Sequence, residues 1–123
     1  MIINISSTIQ YIIDWKSFLI DIASFNAEVI CISRLPLFPK AKRDAFSIQN
    51  ISSSFGYCGS SIVNLLKKDS VSNLMNDLDY FNFSSNYIRN GDLSYYWGGN
   101  CPNEEYSVIT DVASVFVKKS FRN

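Results

Sequence analysis

Histidine is absent from this chain of 123 residues. Histidine is the side chain that most often acts as a general base near neutral pH, completes serine and cysteine triads, and binds zinc. The remaining soft zinc ligands are three scattered cysteines, whereas structural zinc sites normally contain close ligand pairs. The composition therefore predicts a protein that is not an enzyme, with no catalytic residue, no metal and no cofactor.

The chain has only five glycines, and its formal net charge is zero. Gly56 and Gly59 lack the Lys-Ser/Thr ending of a phosphate-binding loop, so they predict a turn rather than a nucleotide site. The 11 bases are balanced by 11 acids, without an aromatic-basic motif, which argues against direct binding of nucleic acid. A small enzyme that uses carboxylates alone, or a nucleotide-binding module, stays open as an alternative of a different class.

The chain shows no sign of export or membrane insertion. Its apolar N-terminus has no basic start or small-residue cleavage site, and Asp14, Lys16 and Asp21 interrupt it. Cys31, Cys58 and Cys101 cannot all pair within one chain and form no Cys-x-x-Cys motif. We expect a cytoplasmic protein with reduced thiols that needs no disulfide and contacts no membrane.

Helical periodicity dominates the first two thirds of the chain. Apolar residues at spacings of three and four predict a core helix from about residue 8 to 26, capped by the polar residues 6–8. Ser60 or Ser61 would cap a second helix through residues 62–66, and Ser70 a third that ends near Leu78. Asp77 falls off the apolar stripe of this third helix and is expected to face solvent.

Strand patterns are found between the predicted helices and in the last third of the chain. They predict strands at residues 27–33, ended by Pro36, and at 46–51, with a basic loop at 35–44 between them. Asn90-Gly91 predicts a hairpin turn between strands at 87–89 and 92–97, and two closing strands follow at 106–110 and 112–117. The expected fold is α+β: a single globular domain over residues 1–123, with the N-terminal helix and one or two more helices packed on a mainly antiparallel sheet.

Charge is segregated along the sequence. Residues 34–68 contain six bases and one acid, whereas residues 69–111 contain seven acids and one base. Eight aromatic residues are interleaved with the acidic stretch. Tyr80, Phe81 and Phe83 are expected to be core, but three consecutive rings at 95–97 cannot all lie on one face of a strand, so one is expected to be exposed.

Acids interleaved with aromatic rings are suited to binding a basic protein. Carboxylates steer the encounter and can imitate phosphates, while rings supply contact area and can imitate bases. This combination would occlude the basic active site of a nuclease. The candidate partner-binding residues are Asp77, Asp79, Asp92, Tyr95, Trp97, Glu104 and Glu105. The basic segment 34–43 is the alternative interface.

In its size, α+β pattern, lack of export signals, absence of histidine and composition rich in Asn, Ile, Ser, Phe and Tyr, the chain resembles the cytosolic immunity proteins of bacterial contact-dependent growth-inhibition systems. The resemblance implies a protein that binds and neutralises a cognate toxin domain, commonly a nuclease. It transfers no individual residue role. A phage or mobile-element inhibitor of a host defence nuclease is the alternative within the same class.

Overall fold

The computed structural model describes residues 1–51, 59–90 and 104–121. An α+β fold is confirmed: in these ranges a six-stranded mixed sheet is accompanied by two α-helices. The elements in chain order are β1 (Ile2–Ser6), α1 (Trp15–Ala23), β2 (Val29–Phe38), β3 (Ala45–Ile51), β4 (Gly59–Lys67), α2 (Ser70–Asp77), β5 (Tyr80–Asn90) and β6 (Thr110–Lys118).

Strand β2 is the centre of the sheet. The strand order is β3-β4-β2-β6-β5, and β1 also pairs with β2. Antiparallel pairing joins β2 to β6, β3 to β4 and β5 to β6, whereas β1 and β4 lie parallel to β2. The first half of β2 pairs with β1 and its last two residues with β4, so one edge of β2 serves two strands in turn.

The prediction of an N-terminal helix from about residue 8 to 26 is wrong. The chain begins with β1, and a 3-10 turn at Ile9–Tyr11 precedes α1, which has only nine residues. The Asp14 carboxylate accepts a hydrogen bond from the Ser17 N–H, at 3.2 Å, and so caps α1 later than the polar residues 6–8 would. A hydrogen bond with the Ser17 side chain, and second this main-chain bond, lower the pKa of Asp14.

Strand β2 runs past the predicted stop at Pro36 and continues to Phe38. A β-bulge between Ile32 and Leu35 places Arg34 at φ 54° and shifts the alternation of the strand. Pro36 lies between the part of β2 that pairs with β1 and the part that pairs with β4. At this position that edge of β2 has no paired strand in the described chain. Proline is tolerated at such an edge because no ladder hydrogen bond is lost there.

Residues 59–67 form strand β4, not the predicted helix. Val63 and Leu65 point to one face of the sheet and Leu66 to the other, and both faces are covered. Asn64 is buried, and its amide donates to the carbonyls of Ile9 and Ile12. A strand buried on both faces is a continuous apolar run, which periodicity alone does not distinguish from a helix.

Helix α2 matches its predicted apolar stripe. Val71 and Met75 are buried, Leu74 and Leu78 pack against the same core, and Asp77 faces solvent as expected. The residue before the helix, Asp69, occupies the N-cap position in place of the predicted Ser70. Neither helix of the described ranges is long and apolar enough to cross a membrane.

Two apolar clusters lie on opposite faces of the sheet. The larger one buries Trp15 and Leu19 of α1 and both α2 core residues against the sheet. The smaller one covers the β3–β4 end of the other face, where Phe38 and Tyr106 meet edge to face at a centroid distance of 5.6 Å. Tyr106 belongs to a 3-10 turn at Glu104–Tyr106, and Ile109 joins this cluster too, so this segment is not the start of a separate strand.

Candidate functional site

An apolar row crosses four strands on the face of the sheet opposite the helices. Ile2 of β1 pairs with Val29 of β2, which pairs with Val117 of β6, which pairs with Phe81 of β5. Paired residues of neighbouring strands share a face. The residues that alternate with this row, among them Ile30 and Phe116, point into the larger core. We call these four residues, Ile2, Val29, Val117 and Phe81, the apolar row.

The apolar row is exposed at one end and half-buried along the rest. Ile2 is 71% exposed, and the other three members are partly buried. In the next pair of strand positions, Cys31 and Val115 add further partly buried apolar surface on this face. The smaller cluster lies at the other end of this face of the sheet and includes none of the row's residues. A continuous apolar surface of this kind is typical of a protein interface.

Edge strand β5 extends this surface. Its bulge between Asn82 and Ser84 puts Phe83 beside Phe81, with the two rings edge to face at 6.5 Å. Phe83 is 68% exposed, so the prediction that it is core is wrong, whereas Tyr80 is buried as predicted. The bulge explains the error, because it interrupts the alternation from which burial was inferred. Tyr87, further along β5, is also exposed.

Asp79 precedes β5 at the end of the sheet where the apolar row crosses. It is exposed, has φ 73°, and its carbonyl accepts from the Lys119 N–H at 2.8 Å. Glu28 precedes β2 at the same end, where it pairs with the N-terminal amine. That charged partner lowers the pKa of Glu28. Both carboxylates are close enough to Tyr80 to help raise the pKa of its hydroxyl, although burial is the main cause.

The other described candidates lie elsewhere. Asp77 lines a pocket beside α2 together with bases of the loop between β2 and β3. Glu105 accepts a hydrogen bond from the main-chain N–H of Lys42 in that same loop, at 3.0 Å, and its neighbour Glu104 is exposed. The acids that are clustered in sequence are therefore interleaved with bases in space at Asp77 and Glu105.

Part of the predicted site falls outside the described residues. This holds for Asp92, Tyr95 and Trp97, and also for the Gly91 half of the hairpin turn. Cys58 and Cys101 also fall outside them, while Cys31 is a free thiol. Within the described ranges, no three His, Cys, Asp or Glu side chains come together in a way that would hold a metal ion.

Sequence reasoning missed the apolar row. Its first member is on β1, which was not predicted, and its other members are separated by up to 88 positions between Val29 and Val117. The available signal was the alternation of Val29 with Ile30 and of Phe116 with Val117, each of which places an apolar side chain on both faces. Comparison of the chain with family models, curated proteins and solved structures gives no match.

Proposed function

We propose that this protein is a cytoplasmic immunity protein, which binds a bacterial toxin domain and neutralises it by covering a basic, nucleic-acid-binding active site. The observation that carries the proposal is the apolar row with the adjoining exposed ring of Phe83. Exposed aromatic side chains beside an apolar patch are common anchors of protein interfaces.

Charge supports a basic partner. Strand β5 belongs to the stretch 69–111, in which seven acids face one base. Asp79 stands exposed at the start of this strand, and Glu28 lies at the same end of the sheet, where the apolar row crosses. In the proposed complex the aromatic rings supply affinity, and the acids raise the rate of association with a positively charged active site.

The first test is the neighbourhood of the gene. An immunity protein is expected beside the gene of the exported toxin that it neutralises, and co-expression of this chain should restore growth of cells that make that toxin domain. A gene without such a neighbour, or a toxin that still kills cells containing this folded chain, would refute the proposal.

The second test measures association of the purified toxin domain with charge variants. Asp79→Lys should slow association about fivefold or more at low salt, and about 0.5 M salt should erase the difference because it screens the charges. Asp21→Lys is the matched control, since Asp21 is an exposed acid on α1, away from the proposed surface. Equal effects of the two reversals would show that only net charge matters.

A further inference from the structure

Four cations from three separate segments converge on one pocket of about 410 Å³. One wall is a single face of α2, formed by Ser70, Asn73, Leu74 and Asp77 at helical spacing. The start of α1 contributes Lys16, the loop between β2 and β3 contributes Lys42 and Arg43, and the end of β4 contributes Lys67.

Main-chain anchors hold the loop against the pocket. The Tyr106 hydroxyl donates to the Arg43 carbonyl at 2.8 Å, and Glu105 accepts from the Lys42 N–H. The Asp44 carboxylate accepts from both the Lys67 N–H, at 2.9 Å, and the Ser70 hydroxyl, at 2.6 Å. The loop is thus tied to β4, to α2 and to the 3-10 turn by hydrogen bonds, which pre-orders its two cations.

These anchors engage main-chain groups and the Ser70 hydroxyl, not the charged groups of the loop's cations. Glu105 accepts from a main-chain N–H, and Asp44 from a main-chain N–H and a hydroxyl. In the described chain, no carboxylate lies within 4 Å of the charged group of Lys16, Lys42, Arg43 or Lys67. Among the described lining residues, four cations face two carboxylates, Asp44 and Asp77, and the Glu105 carboxylate lies beside the Lys42 main chain, so bases outnumber acids at the pocket.

We infer that this pocket binds the phosphate group of a small, hydrophilic phosphate monoester. A phosphate anion suits the excess of bases over acids, and lysine and arginine donors suit its oxygens. The volume lies within the range of small-molecule sites and exceeds what a phosphate group alone would fill, so there is room for an organic part. Among the described lining residues, Leu74 is the one apolar side chain and none carries a ring, which suits a polar organic part rather than a stacked base.

Glycerol 3-phosphate is the probe, with glycerol as its uncharged control, and binding is followed by calorimetry and by amide chemical shifts. We expect saturable binding of the phosphate ester alone, with shifts centred on Lys42, Arg43 and Ser70. The double variant Lys42→Gln/Arg43→Gln should weaken it about tenfold or more, since charged hydrogen bonds are lost. Lys40→Gln/Lys68→Gln, with the same change in charge at exposed residues outside the pocket, should alter it less than about twofold.

Three results would overturn the inference. The first is no saturation by glycerol 3-phosphate below about 10 mM, which is the limit of useful affinity. The second is an equal loss in both double variants, which would mean diffuse attraction rather than a pocket. The third is tighter binding of a short single-stranded oligonucleotide than of the ester, with the ester displacing the oligonucleotide only at high salt. This result would assign the cations to nucleic acid. Circular dichroism of each variant establishes that it is folded before binding is compared.

Discussion

Tyr80 shows how a single side chain links the two layers of this fold. It is buried at the start of β5, and its hydroxyl donates to the carbonyl of Ala27 at 2.6 Å. Ala27 lies two residues before β2 and is itself fully buried. The bond therefore ties the entry of the central strand to an edge strand at the end of the sheet where the apolar row lies.

Tyr80→Phe should lower the free energy of unfolding by about 1–3 kcal/mol, because the buried carbonyl of Ala27 loses its donor.

Burial first, and the charges of Glu28 and Asp79 second, raise the pKa of Tyr80 above its ordinary value of 10.0. Above that pH the unfolded chain ionises while the folded chain resists, so stability falls as the pH rises. Urea titrations at pH 8 and about pH 11 should show a smaller alkaline loss in the variant than in the wild type; an equal loss would contradict this assignment.

Asp79 occupies a backbone conformation that glycine adopts more readily than aspartate. It follows α2 with φ 73°, in the left-handed region where glycine usually ends a helix. Asp79→Gly should therefore raise the free energy of unfolding by about 1 kcal/mol. If its carboxylate steers the partner, the same variant should associate more slowly with the toxin domain.

Asn26→Gly is the matched control for Asp79→Gly. Asn26 also has a left-handed conformation, with φ 56°, just after α1, but it carries no charge. Its replacement should leave association unchanged and raise stability less, because asparagine tolerates this region better than most residues. Thermal unfolding and stopped-flow association on both variants decide the matter, and a slower association in both would assign the effect to the backbone rather than to charge.

At the scale of elements, helix α2 and strands β3 and β6 could be predicted, since their patterns are local. The helical stripe of α2 needs only its own spacing, and Phe46 and Ile48 share one face of β3 as alternation requires. Strand β4 was mistaken for a helix because its conformation depends on partners distant in sequence. Asn64 is satisfied by carbonyls more than 50 residues away, which no local window contains.

Helix α1 is short but central to the larger core. Trp15 is buried and Phe18 packs at its margin, whereas Ile20 on the other side of the helix is about half exposed. Trp15→Ala should cost about 3–5 kcal/mol, as large-to-small core changes do, and Phe18→Ala should cost less. Ile20→Ala serves as the exposed control, with an expected change within about 0.5 kcal/mol. Denaturant unfolding checks the order; a neutral Trp15→Ala would place α1 outside the core.

At the scale of the whole molecule, the described residues cover one face of the sheet largely with helices and the other face in part with the smaller cluster. The candidate site lies on the part that the smaller cluster leaves accessible, where β1, β2, β6 and β5 meet. The sequence predicts a binding surface of acids and aromatic rings. The apolar row can be recognised only once the strand order is known, because that order brings Ile2 and Phe81 to opposite ends of one line. Strand order is set by long-range packing and is therefore not legible in local periodicity.

The most direct test compares two phenylalanines. Phe83 on β5 and Phe46 on β3 are both 68% exposed and lie on opposite edge strands of the described sheet. With the toxin domain encoded beside the gene, Phe83→Ala should raise the dissociation rate about 30-fold, which corresponds to about 2 kcal/mol for an interface anchor. Phe46→Ala should leave that rate within about twofold. Faster dissociation of Phe46→Ala with an unchanged Phe83→Ala would contradict the account and place the interface on the β3 edge.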